Sequence, residues 1–258
     1  MKYKLIKKIL IKGQITAKTG IAIGGSNTAM GIGGVDKGVI RNPITQQPYI
    51  PGSTLKGKMR SLLEIRNGEI GDKAMGAVKN GACERDGSRS ANLFGNASGS
   101  DKQRPSRLIV RDSLLDGNQV TDNYFKDTDL LFTEVKTEVV IDRITSKAMP
   151  RQLERVPAGA KFDFELVLNI MEEWDKDGNY VVQKDDEKQL LTDVFASLQL
   201  VQDDYIGGSG SRGSGQICFD IHEVTEFTNA YYSMEMEDGK RIGIIPRTAE
   251  FKNIFHND

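Results

Sequence analysis

Residues 5–17, LIKKILIKGQITA, set isoleucine against lysine and other polar side chains in partial alternation. β-Branched residues at a period near two predict a strand with one buried face. FDFELVLNI (162–170) alternates more clearly and predicts a second strand. Between them, Pro48, Pro51 and Gly52 punctuate the chain, and Ser53 is placed to cap a helix. From there Leu55, Met59, Leu62 and Leu63 recur at helical spacing. RLIVRD (107–112) reads as a buried strand, and Asp177-Gly178 as a hairpin turn. A helix is predicted over 187–204, with Leu190, Leu191, Val194, Leu198 and Val201 on its inner side. The strand 216–224 closes the core. The order strand, helix, strands, helix, strand predicts an α+β, ferredoxin-like (RRM-like) β-α-β-β-α-β core. The open sheet of that fold is also the architecture of RNA-recognition modules.

Two stretches do not belong to such a core. Residues 67–106 are rich in Gly, Asn, Ser and charge and read as a lid-like insertion. Residues 121–160, charged and interrupted by Pro150 and Pro157, read as a thumb-like insertion that projects as a loop. Residues 1–258 are thus expected to form a single domain with two insertions, and the tail 225–258 yields no predicted structure.

Length and composition bound the function. The chain has 258 residues and a mass of 28.5 kDa, enough to bury a sizeable core. With 38% hydrophobic and 28% charged residues it is not disordered as a whole. No apolar run approaches membrane-spanning length, and the N-terminus lacks the pattern of a secretory leader. Two cysteines, Cys83 and Cys218, and two histidines, His222 and His256, build neither a disulfide framework nor a zinc centre. A soluble protein of the reducing cytoplasm, without a membrane partner, is expected. The formal net charge is only -1, yet residues 1–66 hold twelve Lys or Arg against Asp36 and Glu64, a segment of +10. The asymmetry suggests one face that meets a polyanion, although lysine-rich solvated strands would give the same count.

The candidate site residues each have a plain structural reading beside the functional one. Gly208-Ser-Gly210-Ser-Arg-Gly213 matches the letters of a dinucleotide loop, but a helix precedes it and a strand follows, the reverse of what that motif needs. What survives is a glycine loop with Arg212 at its centre, either an ordinary turn or a cradle of N–H groups and a guanidinium for phosphate. Lys56, Lys58 and Arg60 follow a helix start at Ser53-Thr54, which makes either a solvated face or an anion site. Asp36 sits in a glycine-rich, basic stretch. It is either a turn aspartate bonded to its own backbone or a lone carboxylate able to hold a divalent metal or a reacting hydroxyl. Arg143, Lys147, Arg151 and Arg155 string along the thumb, with Met149-Pro150 as an apolar wedge expected at its tip. His222 is expected to be packed in the last core strand. No Ser-His-Asp set is assignable.

Taken together, TGIAIGG (19–25), the segment 33–64 around Asp36, LFG (93–95) with SRLIVRDS (106–113), IDRITSKAMPRQLERVPAG (141–159) and GGSGSRGSGQI (207–217) make the chain resemble the RAMP superfamily of CRISPR proteins. More narrowly it is similar to the backbone subunit of the type III-A (Csm) effector complex. One departure is Ala22, where many members carry histidine. The resemblance implies copies stacked as a filament along a CRISPR guide RNA beside other Csm effector subunits. It implies guide contacts at Ser53, Thr54, Lys56, Lys58, Arg60, Gly210, Arg212 and Gly213, and a thumb with Met149 and Arg151 that kinks the guide–target duplex. It also implies Asp36 as catalytic residue and metal ligand in cleavage of a single-stranded target RNA with a divalent metal, Mg²⁺ first. Three alternatives stay open. One is a non-catalytic guide-binding scaffold, another a RAMP that processes the guide precursor, and the third a binding module outside CRISPR.

Overall fold

The computed structural model describes residues 2–24, 38–70, 81–83, 87–96, 104–174, 177–182 and 185–246. Its elements run β1 (Lys2–Ala17), β2 (Tyr49–Ile50), α1 (Gly52–Asn67), α2 (Arg89–Phe94), β3 (Leu108–Val110), β4 (Ser113–Leu115), α3 (Gly117–Thr121), β5 (Glu134–Ile141) and β6 (Ala148–Arg155). Then follow β7 (Lys161–Trp174), β8 (Tyr180–Val182), α4 (Glu187–Asp203), a 3₁₀ turn at Gly210–Arg212, β9 (Ile217–Thr228), α5 (Asn229–Tyr232), β10 (Met236–Glu237), β11 (Lys240–Arg241) and β12 (Ile244–Pro246).

The two strands that open the sequence argument lie side by side. β1 pairs antiparallel with β7 from Lys2↔Trp174 to Thr16↔Lys161, and with β9 on its other edge. Among the described residues the main sheet runs β12-β9-β1-β7-β4-β2, with β3 and β8 also pairing with β7. Ile9, Ile11 and Ile15 of β1 and Phe162, Phe164, Leu166 and Leu168 of β7 point to one buried face. α1 and α4 lie side by side over it through Leu55, Met59 and Leu63 and through Leu190, Val194, Leu198 and Val201. Burying each such side chain contributes about 1.5–3 kcal/mol. β1 bulges against β9 between Lys12 and Gly13. A Cβ on Gly13 would run into the Asp220 carbonyl and the Phe164 ring, so only glycine fits there.

The opposite face of the sheet is acidic in its central rows. Lys12 lies between Glu165 and Glu223, and Gln14 between Asp163 and Asp220. Two cations there are paired, Lys12 with Glu223 at 3.7 Å and Arg111 with Glu165 at 2.6 Å. These two rows carry acids and no aromatic ring on which a base would stack.

The structure corrects several expectations. Ser53 does not cap α1; the N-cap is Pro51, and the Gly52 N–H donates to Asp112 Oδ1 at 2.7 Å. The thumb is not a loop but a β-hairpin, β5–β6, paired from Glu134↔Arg155 out to Ile141↔Ala148. Met149 is therefore not at its tip; it pairs with Val140 inside the ladder, while Ile144 occupies the turn. His222 is not packed, because strand alternation turns it outward, 3.8 Å from Asp220. The tail is also structured to residue 246: β9 runs on to Thr228, and β12 pairs with its outer edge.

Candidate nucleic-acid interface

Four segments distant in sequence meet at the end of β1. The chain leaves β1 at Ala17 and runs on through Ile21, whose N–H donates to the Val156 carbonyl at 2.9 Å and whose carbonyl accepts from Val156 at 2.8 Å. That exchange ties the chain at Ile21 to the residue that follows β6. The glycine loop then docks on residues 20–24, with Gly208 N–H on the Ala22 carbonyl at 2.7 Å and Gly215 N–H on the Gly20 carbonyl at 2.9 Å. Gly207 has φ +80°, and a Cβ there would strike the Ala22 carbonyl, so the close approach requires glycine. The Ile40 N–H bonds to the Ile23 carbonyl at 2.9 Å and brings the two ends of the 25–37 segment together.

Between these backbones lies a cleft of about 440 Å³. One wall is Ala22–Gly24 with Gly38 and Val39, another is Gly207–Ser209, the third is Leu153 and Glu154 of β6, and Thr54 of α1 faces them. Backbone and small side chains dominate the lining, which suits a ligand that presents phosphate and sugar rather than a shaped apolar group.

Glu154 is the one carboxylate of the described lining. It accepts from Val39 N–H at 2.9 Å, Thr133 Oγ1 at 2.6 Å and Arg41 Nη2 at 2.5 Å. Burial alone would raise its pKa, but the bonds from Thr133, Arg41 and Val39 outweigh it and hold it below the ordinary glutamate value. Arg41 spreads further, with Nη1 donating to the Gln46 carbonyl at 2.7 Å and the Leu131 carbonyl at 2.8 Å. The pair bolts the loop after Val39 to the root of the thumb. Sequence reasoning missed it: Arg41 and Glu154 stand 113 residues apart, and their only signal was that each fell in a motif quoted for the resemblance.

The sequence-predicted residues divide into three groups. Thr54, Gly210, Arg212 and Gly213 are at the cleft or on the loop that forms its wall. Arg212 is 69% exposed at its side chain and reaches across to Glu138 of β5 at 3.2 Å. Lys136 first, then Arg212, hold the Glu138 carboxyl below its usual range. The α1 cations, by contrast, have partners within the chain. Lys56 Nζ donates to Ser106 Oγ at 2.7 Å and the Leu108 carbonyl at 2.9 Å, and burial, then Arg60, lower its pKa. Lys58 pairs with Asp204 at 2.8 Å and lies 3.8 Å from the Tyr205 ring centre. Arg60 bonds Glu64 at 2.7 Å and the Cys83 carbonyl at 2.8 Å. Ser53 is exposed on the first turn of α1, and Met149 and Arg151 stand in β6, outside the cleft lining.

Asp36 lies outside the described residues, in the segment whose two ends, Gly24 and Gly38, rim the cleft. Among the described residues no group of three or more His, Cys, Asp or Glu side chains is placed to hold a metal ion. Glu154 is committed to three donors of its own. The described lining thus offers a divalent ion no preformed cage.

The comparisons agree with this architecture. The RAMP superfamily model matches residues 14–218. The CRISPR system Cms endoribonuclease Csm3 of Methanothermobacter thermautotrophicus is 36% identical over 261 residues, covering 95% of this chain and 98% of that protein. The protein of the same name from Streptococcus thermophilus is 39% identical, covering 86% of this chain and 92% of its own length. Among solved structures, a Csm3-Csm4 subcomplex of the type III-A CRISPR-Cas interference complex superposes with a TM-score of 0.54 at 25% identity, over 95% of this chain and 90% of that one. Methanopyrus kandleri Csm3 shares the fold, with a TM-score of 0.56 at 22% identity, over 89% of this chain and 80% of that one. The chain belongs to the RAMP superfamily and, within it, to the family of the Csm3 proteins.

Proposed function

We propose that this chain is a backbone subunit of a type III-A CRISPR ribonucleoprotein, binding guide RNA as a filament and cleaving complementary target RNA at regular intervals. The observation that carries the reading is the meeting of four motif segments on one cleft, with both ends of the Asp36 segment at its rim. The Csm3 relatives bear the name endoribonuclease, which supports the activity. The strand order β9-β1-β7-β3, with α1 and α4 on one face, supports a ferredoxin-like core carrying a lid over 67–106 and a thumb over 121–160. Guide RNA, target RNA, further copies of the chain and other Csm subunits are the proposed partners. No described helix is long and apolar enough to cross a membrane, and a cytoplasmic site of action is part of the proposal.

In this reading Arg212 and the backbone of 207–213 hold the guide, and Ser53 and Thr54 face it from α1. Lys56, Lys58 and Arg60 shape that helix through their internal partners and meet RNA only by exchanging them. Arg151 supplies charge along the thumb, and Met149 an apolar side chain beside it. Asp36 is the catalytic residue, orienting a 2′-hydroxyl of the target against its own phosphate. In this reading Asp36 is also the ligand for Mg²⁺; Glu154, the one carboxylate of the described lining, is committed to donors of its own. A scaffold without cleavage is the competing reading.

The test uses the assembled complex, its guide and end-labelled complementary RNA. Evenly spaced products that vanish with Asp36→Ala or with EDTA, while target stays bound, are expected. An unchanged ladder with Asp36→Ala would place the chemistry on another residue or subunit.

A further inference from the structure

Two turns one hundred residues apart are built alike. In Asn42–Gln47 the Asn42 side chain accepts from Ile44 N–H at 2.9 Å and Thr45 N–H at 3.3 Å, and Gln46 N–H closes on the Asn42 carbonyl at 2.8 Å. In Asp142–Lys147 the Asp142 side chain accepts from Ile144 N–H at 2.9 Å and Thr145 N–H at 2.8 Å, and Ser146 N–H closes on the Asp142 carbonyl at 2.9 Å. In both, Thr Oγ1 accepts from the N–H two residues on at 3.4 Å. Gln46 and Ser146 take the same positive φ, 59° and 57°. Each turn lifts one isoleucine out of the molecule, Ile44 90% exposed and Ile144 95% exposed.

An isoleucine held out on a stiff turn gains nothing within the chain. It does lower the entropic cost of burying that side chain against something else. The surroundings indicate what. Ile144 stands between Arg143 and Lys147, cations that suit a polyanion. The turn of Ile44 carries no charge; Asn42, Thr45, Gln46 and Gln47 surround it, so it offers an apolar side chain among neutral hydrogen-bonding groups rather than a cation. Its position is fixed by Arg41, whose guanidinium joins the Gln46 carbonyl to Glu154 in the cleft wall. The two knobs therefore stand at the root and the tip of one hairpin, separated by eight residue pairs, roughly 25 Å of strand.

We propose that Ile44 is a second apolar contact to the bases of RNA lying in the cleft, a partner to the thumb-tip Ile144. This rests on the RNA-binding reading above. Apolar side chains entering between base steps unstack them, and a neutral, amide-rimmed knob beside a backbone-lined cleft has the chemistry for that contact. Protein neighbours are the competing occupant.

The test places 2-aminopurine at successive positions of a target RNA and measures its fluorescence in the complex with guide. Wild type, Ile44→Ser and Ile144→Ser are compared, with circular dichroism to show that the variants fold. The proposal predicts two sets of bright positions, one lost with Ile44→Ser and the other with Ile144→Ser, and target binding weakened about five- to tenfold by each. If wild type shows bright positions and Ile44→Ser leaves all of them unchanged, Ile44 does not touch bases. If Ile44→Ser instead lowers the number of copies per guide with the fluorescence unaltered, the knob meets a neighbouring copy and the proposal falls. If wild type binds no RNA at all, the functional reading itself is wrong and this one falls with it.

Discussion

Glu154 shows how one residue ties the cleft together. Its carboxylate accepts from the Val39 N–H just after the Asp36 segment and from the guanidinium of Arg41 at once. Glu154→Gln keeps the shape and removes the charge, and hydrogen bonds to a charged group contribute about 1.5–3 kcal/mol. The variant should lose about 2 kcal/mol of stability at neutral pH, read from urea unfolding. Because the folded-state pKa is lowered, this contribution is present above the unfolded value, about 4.3, and is lost as pH falls through the folded value. The gap between wild type and variant should therefore begin to narrow as pH falls past the unfolded value, about 4.3, and close in stronger acid; a gap that widened in acid would contradict the assignment. Asp36 was legible as a candidate because it is the lone acid among the first 63 residues. Glu154 was not, because glutamate in a charged insertion gives no sign that it folds back onto a backbone more than a hundred residues away.

At the scale of elements, the strands and helices of the core were read well, while the β5–β6 hairpin, the strands after residue 225 and the junctions were not. Ile9, Ile11 and Ile15, and Phe162 to Leu168, carried their period into the core because one face of each strand is buried. The start of α1 misled. Ser53 has the chemistry of a cap, but Gly52 packs against the Val110 carbonyl and Asp112 reaches its N–H first. Asp112→Ala should cost about 1 kcal/mol, the usual worth of a helix cap, measured by thermal unfolding; no loss would mean that the bond to Gly52 contributes nothing. Pro150 suggested a loop because it ends helices. In a two-stranded hairpin it stands opposite Val139 without disturbing a central strand. The glycine wall is more demanding. Gly207→Ala would need positive φ and space that the Ala22 carbonyl already fills. It should weaken guide binding at least tenfold while leaving the far strands, β10 to β12, unaffected in hydrogen exchange.

For the whole molecule, charge asymmetry pointed to a polyanion but not to where it lies. Lys12 and Lys58 contribute to the basic segment 1–66, yet both are paired with acids from the remainder of the chain. The sheet face that serves RNA-recognition modules is acidic in its central rows, and the cleft lies at the end of β1 instead. Arg212, exposed on the loop that forms one cleft wall, should account for more of the salt dependence of guide binding than the α1 cations. Arg212→Ala should lower the slope of log affinity against log salt by about one. The Lys56→Ala, Arg60→Ala pair should act mainly by loosening α1. A slope unchanged by Arg212→Ala would remove it from the guide contacts.

The most direct measurement replaces uridines of the guide with 4-thiouridine, crosslinks the assembled complex with light, and maps the attached peptides by mass spectrometry. The account predicts crosslinks within 20–24, 38–44 and 207–213 and at the thumb turn near Ile144. Crosslinks concentrated instead on the open sheet face, around Lys12, Gln14 and the strand of Asp163 and Glu165, would contradict it.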